Sequence, residues 1–237
     1  MRQSFRPQTV RLRSGNAPSG FTLLEILIAF FIFAIVISVL FGSYRAIFGN
    51  IDAVARSGEH YEAARDCLNR VVQDLRQVHV VLRPRYFPPD MDDPPDPYRI
   101  EGDVPSVKGE AFSRLRFASG AHIAFEHPPR EGIAQIVYYV QPTKADRLVL
   151  RRSDQLYPYD PFEEDERDPV LCEDIKSFTV SYYDQNGEIH DQWNSDDEAY
   201  GYATPSAVGI HLTVGDASFS RELKTLITLP VFRPESN

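Results

Sequence analysis

The sequence is poor in the residues that would give its chemistry away. Two cysteines in 237 residues exclude a disulfide-dense scaffold and a four-cysteine zinc site. Basic residues are in deficit, 25 against 34 acidic, for a net charge of −9, which disfavours nucleic acid as a partner. The six histidines are scattered. His60 and His79 fall in a helical stretch, while His122, His127, His190 and His211 lie in or beside strands. None has ligand spacing with a cysteine or a second histidine, so no metal or other cofactor is expected. No H-E-x-x-H, G-x-S-x-G, P-loop or G-x-G-x-x-G string occurs, which closes the usual motif routes to an enzyme. Carboxylate pairs such as Glu163/Glu164 carry no mark of a glycosidase site, because burial is what would set one pKa apart. Glycine is outnumbered by proline, 13 to 18. What remains is 43% hydrophobic and 12% aromatic, enough for one large domain or a domain with an appendage.

Charge is unevenly placed. The first twenty residues carry Arg2, Arg6, Arg11 and Arg13 and no acid, so the whole acidic excess lies beyond them. Between the two stands Phe21–Phe41, FTLLEILIAFFIFAIVISVLF, which at ~1.5 Å per residue covers roughly 30 Å, the thickness of a bilayer core. A secretory signal would have a shorter apolar region, about 7–15 residues, and a small-residue cleavage site after it. Here Gly42-Ser43-Tyr44-Arg45 continues in helical sequence. A basic head before an apolar span keeps the N-terminus cytoplasmic. The expectation is a single-pass inner-membrane protein with a periplasmic body.

Glu25 is out of place in that span. A carboxylate within an apolar helix costs on the order of 3 kcal/mol and usually has a partner. It is unremarkable where it sits near the helix end and reaches the interface. A cut after Gly20 would instead give Phe21 a free α-amine at the bilayer edge, and Glu25 could pair with the amine of a neighbouring subunit. Gly20-Phe21-Thr22-Leu23-Leu24-Glu25 resembles the prepilin peptidase site of type IV pilins and type II secretion pseudopilins. The resemblance implies a leader of residues 1–20, cleavage between Gly20 and Phe21, N-methylation of Phe21 by the prepilin peptidase/methyltransferase, and Glu25 as the assembly carboxylate. The twenty-residue leader is long for the family. It also has Asn16-Ala17-Pro18-Ser19 where many such leaders place a basic residue.

Beyond the span, Ile47, Ile51, Val54, Tyr61, Leu68, Val71, Leu75, Val78 and Leu82 recur at threes, fours and sevens, the stripe of an amphipathic helix. Residues 21–41 therefore predict a transmembrane half and 42–83 an amphipathic half, ended by Arg83-Pro84. Residues 84–105 hold seven prolines with Asp90, Asp92, Asp93 and Asp96, and 84–111 read as an extended surface connection. The spacing D-M-D-D-P-P-D lacks an EF-hand's turn glycine and distant glutamate. That segment and Glu163–Asp168 are expected as solvated acidic loops. Residues 112–237 read as a β-rich head of period-two strands: Leu115/Phe117, Ile123/Phe125, Ile136–Val140, Leu148/Leu150, Phe178/Val180/Tyr182, Val208–Val214 and Leu223–Leu229. Asp184-Gln185-Asn186-Gly187 is expected to turn a tight hairpin. The fold class is α+β: a long N-terminal helix packed on an antiparallel sheet.

Ser177-Phe178-Thr179-Val180-Ser181-Tyr182-Tyr183-Asp184, Gly187, Trp193 and Pro205-Ser206-Ala207-Val208 resemble the C-terminal segment of the J-type minor pseudopilins. Glu131–Val140 and Leu148–Arg152 are similar to that family's central hairpin. Ile189 and Thr204 depart from it, standing where tryptophan and leucine are common. The resemblance implies a non-enzymatic, pilin-like protein of a type II secretion system. It would initiate or cap the pseudopilus with I- and K-type partners, alongside the H type and the major pseudopilin. Two other readings stay open: a minor pilin of a type IV pilus, and a membrane-anchored periplasmic enzyme, which would not be cut at Gly20. Cys67 lies near the helical stripe and Cys172 before the strand at Ser177. A bridge closing the 104 residues between them would contribute about 4–5 kcal/mol in the loop-closure model. Two small buried thiols are the alternative.

Overall fold

The computed structural model describes residues 22–90, 93–123, 130–215 and 220–235, and within these the side chains of all but 46–61. The chain divides into two compact units, Met1–Ala53 and Val54–Asn237. The first helix, α1, spans Leu23–Arg76. In the first unit its residues up to Arg45 are all exposed, as an apolar helix with no protein around it must be.

The second unit contains the last part of α1 and the strands. These are β1 (Glu101–Asp103), β2 (Ser106–Val107), β3 (Glu110–Ala111), β4 (Arg114–Ser119), β5 (Ala134–Pro142), β6 (Leu148–Leu156), β7 (Val170–Glu173), β8 (Ile175–Tyr183), β9 (Ile189–His190), β10 (Trp193–Asn194), β11 (Ala207–Gly215) and β12 (Ser220–Thr228). They form a six-stranded sheet ordered β10-β1-β4-β5-β6-β7, a four-stranded sheet ordered β12-β11-β8-β9, and the β2-β3 ladder. Every pairing is antiparallel. The core lies between α1 and the inner faces of both sheets. Leu68, Val71 and Leu75 of α1 meet Phe117, Tyr138 and Leu150 of one sheet and Phe178, Val180 and Leu212 of the other. Tyr182 crosses so closely to β1 that a Cβ on Gly102 would sit 1.8 Å from its Oη, so glycine is required there.

The helix stops at Arg76, earlier than the periodicity predicts. Val78 bridges to Ser119 and His79 N–H donates to Ala118 O at 2.8 Å. The chain thus leaves α1 to pair with β4 well before Arg83-Pro84. Ser119 Oγ donates to Asp74 O (2.8 Å) and Gln77 O (3.1 Å), satisfying carbonyls that a helix end leaves open.

The proline-rich connection is more structured than a surface loop. Its prolines pause between Pro97 and Pro105, and in that gap β1 enters the sheet interior between β10 and β4, with Ile100 fully buried. The second acidic run is partly anchored: Tyr139 Oη donates to Asp165 O (3.1 Å) and Asp168 Oδ2 (2.9 Å). This segment lies over the outer face of β5, which is why Ala134–Val140 is buried on both faces rather than alternating. The Asp184–Gly187 turn forms, but only Gly187 takes positive φ, at 84°. Asn186 does not, so the hairpin is not the type that needs both. Phe125, His127 and the side chains of Ile47, Ile51, Val54, His60 and Tyr61 lie outside the described residues.

Candidate assembly site

Thr22 opens α1. Its Oγ1 accepts the backbone N–H of Glu25 at 3.3 Å, and its carbonyl accepts the N–H groups of Glu25 and Ile26 at 3.1 and 3.3 Å. Thr-x-x-Glu is a helix-capping pattern, and an acid in the first turn suits the positive end of the helix dipole. The three-residue spacing is visible in the sequence, although Thr22 is not assigned a capping role there. Gly20 and Phe21 lie outside the described residues.

Leu23–Arg45, 23 residues long, contains an 18-residue window of mean hydropathy 3.0, none of which is buried against protein. It is long and apolar enough to cross a membrane. Ser38, the one hydroxyl in its apolar run, donates to Ala34 O at 2.8 Å and so is satisfied within the helix. Glu25 has no such recourse: no described residue meets its carboxylate. It borders a shallow groove shared with Ile26, Ala29, Phe30 and Phe33, one face of the helix at one-, four-, five- and eight-residue offsets. The arrangement is an apolar strip with a carboxyl group at its start that has no partner among the described residues, a face suited to a second apolar helix that brings a cation.

In the second unit α1 carries a different carboxylate. Asp74, fully buried, accepts hydrogen bonds from Arg152 Nε and Tyr138 Oη, both at 2.6 Å, on one oxygen, and its other oxygen lies 2.7 Å from Arg70 Nη2 as an ion pair without hydrogen-bond geometry. Arg152 continues to Asp154 at 2.6 Å and to Ala121 O at 3.0 Å, and Asp154 meets His122 Nδ1 at 2.6 Å. Burial would lower the Arg152 pKa, but Asp74 and Asp154 outweigh it and raise it above its ordinary value. Burial and the Asp74 charge push the Tyr138 phenol well above its usual range. This network pins α1 to β5 and β6. Sequence reading missed it, although Asp74 falls in the apolar stripe, three residues after Val71 and four before Val78. A second lock holds the C-terminal segment. Arg233 packs on the Tyr86 ring, 3.2 Å from its centroid, and donates to Ser195 O (2.7 Å), Tyr202 O (2.8 Å) and Asp96 (3.2 Å). Asp96 is therefore a half-buried partner of Arg233 rather than a solvated charge.

The two cysteines, one on α1 and one in β7, come together. Their Sγ atoms are 2.9 Å apart and both residues are buried. The adjacent Cys172 thiol, followed by burial, pushes the Cys67 thiol far above its ordinary pKa. Asp184, Glu188 and His190 bring ligand-type atoms within 4.8 Å of one another. Asp184 Oδ1, however, already accepts the N–H groups of Asn186 (2.8 Å) and Glu188 (2.7 Å), which closes the β8–β9 turn. His190 packs edge-on against Trp193. The trio is accounted for by the turn and carries no metal assignment.

Two family models match the chain in adjoining stretches. The prokaryotic N-terminal methylation motif covers residues 16–41, and type II secretion system protein J covers residues 42–225. No curated protein matches significantly. The second match takes in more than half of the sequence, and the chain belongs to the type II secretion system protein J family.

Proposed function

We propose that this member of the protein J family works at the tip of the pseudopilus, where it joins I- and K-type minor pseudopilins to initiate or cap the fibre. The family is one of structural pseudopilins rather than enzymes, and its members assemble with other pseudopilins of the secretion system. The H type and the major pseudopilin are the expected neighbours further down. The head lies in the periplasm and the N-terminus in the cytoplasm, in keeping with the arginines before the span and the acids after it. The peptidase cuts between Gly20 and Phe21 and methylates the new amine, and Glu25 of one subunit pairs with the Phe21 amine of the next.

The observation that carries this reading is Glu25: an acid without a described partner on an otherwise apolar, uncovered helix face. In lipid such a group stays costly until a cation arrives, and a neighbouring processed N-terminus supplies one. Intact-mass measurement of full-length protein extracted from its own membrane tests the reading. The expected species begins at Phe21 and carries one extra methyl group. Material that still begins at Met1 would overturn it. Co-purification of the I- and K-type chains, rather than pilus subunits, distinguishes secretion from a surface pilus.

A further inference from the structure

We propose that Cys67 and Cys172 form a native disulfide that fastens the stem helix to the edge of the head. The pair brings together residues 105 positions apart. Cys67 stands on the buried stripe of α1 between Ala64 and Val71, and Cys172 is buried in β7. Their sulfurs face one another at 2.9 Å, as two thiols in direct contact.

The location explains what a bond there would do. β7 is the outermost strand of the six-stranded sheet and holds to β6 through three residue pairs interrupted by a register shift at Leu150/Arg151. So short a ladder at a sheet edge is prone to open. On α1, Cys67 lies seven residues, two turns, before Asp74 on the same face. The helix is thus held twice: by the Asp74 network at β5 and β6, and by the sulfurs at β7.

The inference rests on the proposed periplasmic placement, since that compartment sustains disulfides and the cytoplasm does not. The co-reactant is a disulfide-bearing oxidant. One cysteine thiolate attacks it, forming a mixed disulfide and releasing one thiol. The second cysteine thiolate then displaces the other sulfur, closing the Cys67–Cys172 bond. Two electrons pass to the oxidant, which leaves as two thiols after taking up the two cysteine protons. Thiolates are the reacting form and buried thiols are inert, so closure precedes the docking of α1 on β7.

Full-length protein taken from its membrane, denatured without reductant and treated with a thiol alkylator, should accept no label and weigh two hydrogens less than the dithiol form. After reduction it should accept two labels. Cys67→Ser alone should expose one alkylatable thiol at Cys172. Reductant should lower the melting temperature of the wild type by roughly 10 °C and leave the Cys67→Ala/Cys172→Ala chain unmoved. Protease shaving of spheroplasts, run in parallel, reports which side the head occupies. Two free thiols in a head exposed to protease would overturn the bridge and leave the placement standing. Two free thiols in a protected head would overturn the placement, and the bridge with it.

Discussion

The first turn of α1 carries Glu25 with no described partner, and its last turn carries Asp74 with three. Both are carboxylates on a helix face that is otherwise apolar. Asp74 is surrounded by groups of its own chain, Arg70, Tyr138 and Arg152, so its charge is settled when the head folds. Glu25 stands among Ile26, Ala29, Phe30 and Phe33 and leaves its charge to be settled by another molecule. On the proposed function one acid serves folding and the other assembly, and the two substitutions should separate cleanly. Asp74→Ala leaves the buried Tyr138 hydroxyl without its acceptor and Arg152 with Asp154 as its one remaining carboxylate, a loss of up to about 3–5 kcal/mol, and should lower the melting temperature of the full chain by roughly 10 °C. Glu25→Gln should leave that temperature unchanged and reduce incorporation into the fibre by on the order of a hundredfold, the equilibrium equivalent of stranding an ammonium in lipid. A melted head in Glu25→Gln, or an unaltered one in Asp74→Ala, would break the division.

The same contrast extends to glycine. A Cβ on Gly42 would meet nothing within 4 Å, whereas one on Gly102 would meet Tyr182 Oη at 1.8 Å. Gly102→Ala must push β1 and β8 apart, for a loss of about 1–3 kcal/mol. Gly42→Ala should cost the head nothing and favour the helix by up to ~1 kcal/mol. Paired thermal melts of the two variants check this. Equal effects would mean that the tight contact at Gly102 relaxes freely.

How much of this was legible in the sequence depends on whether a feature is local. The apolar run, the Thr22–Glu25 spacing and the alternation in β8, β11 and β12 follow from residues near one another, and each appears where the pattern places it. The division into two sheets could not be read, because alternation fixes which side chains share a face but not which strands are neighbours. The end of α1 was misplaced because β4, some forty residues later, captures Val78 and His79. Asp74 and Arg152 were unremarkable in sequence. Their meaning is a contact across 78 positions, and only the intrusion of an acid into the Val71–Val78 stripe hinted at it. Glu25 stands out in the sequence because it is the one acid in a long apolar run.

Acid should expose the folding side of the comparison, and Asp154 is where its sign can be worked out. Burial alone would raise the Asp154 pKa. Hydrogen bonds from His122, Arg152 and the Ile123 N–H outweigh it and hold the carboxyl below its ordinary value. A depressed folded-state pKa contributes stability that is fully present above the unfolded value of about 3.9 and is lost as the pH falls through the folded one. Asp168 and Asp196 are shifted the other way, raised chiefly by burial, so the stability of the whole chain mixes opposing contributions. The informative quantity is the difference between the wild type and Asp154→Asn. The wild type should melt higher at pH 6, and the gap should narrow progressively below about pH 4 as Asp154 takes up its proton. A gap that stays constant through that range would mean the Arg152–Asp154 arm is held by its hydrogen bonds alone. The charge that pins α1 would then reside in the Asp74–Arg152 pair without help from that of Asp154.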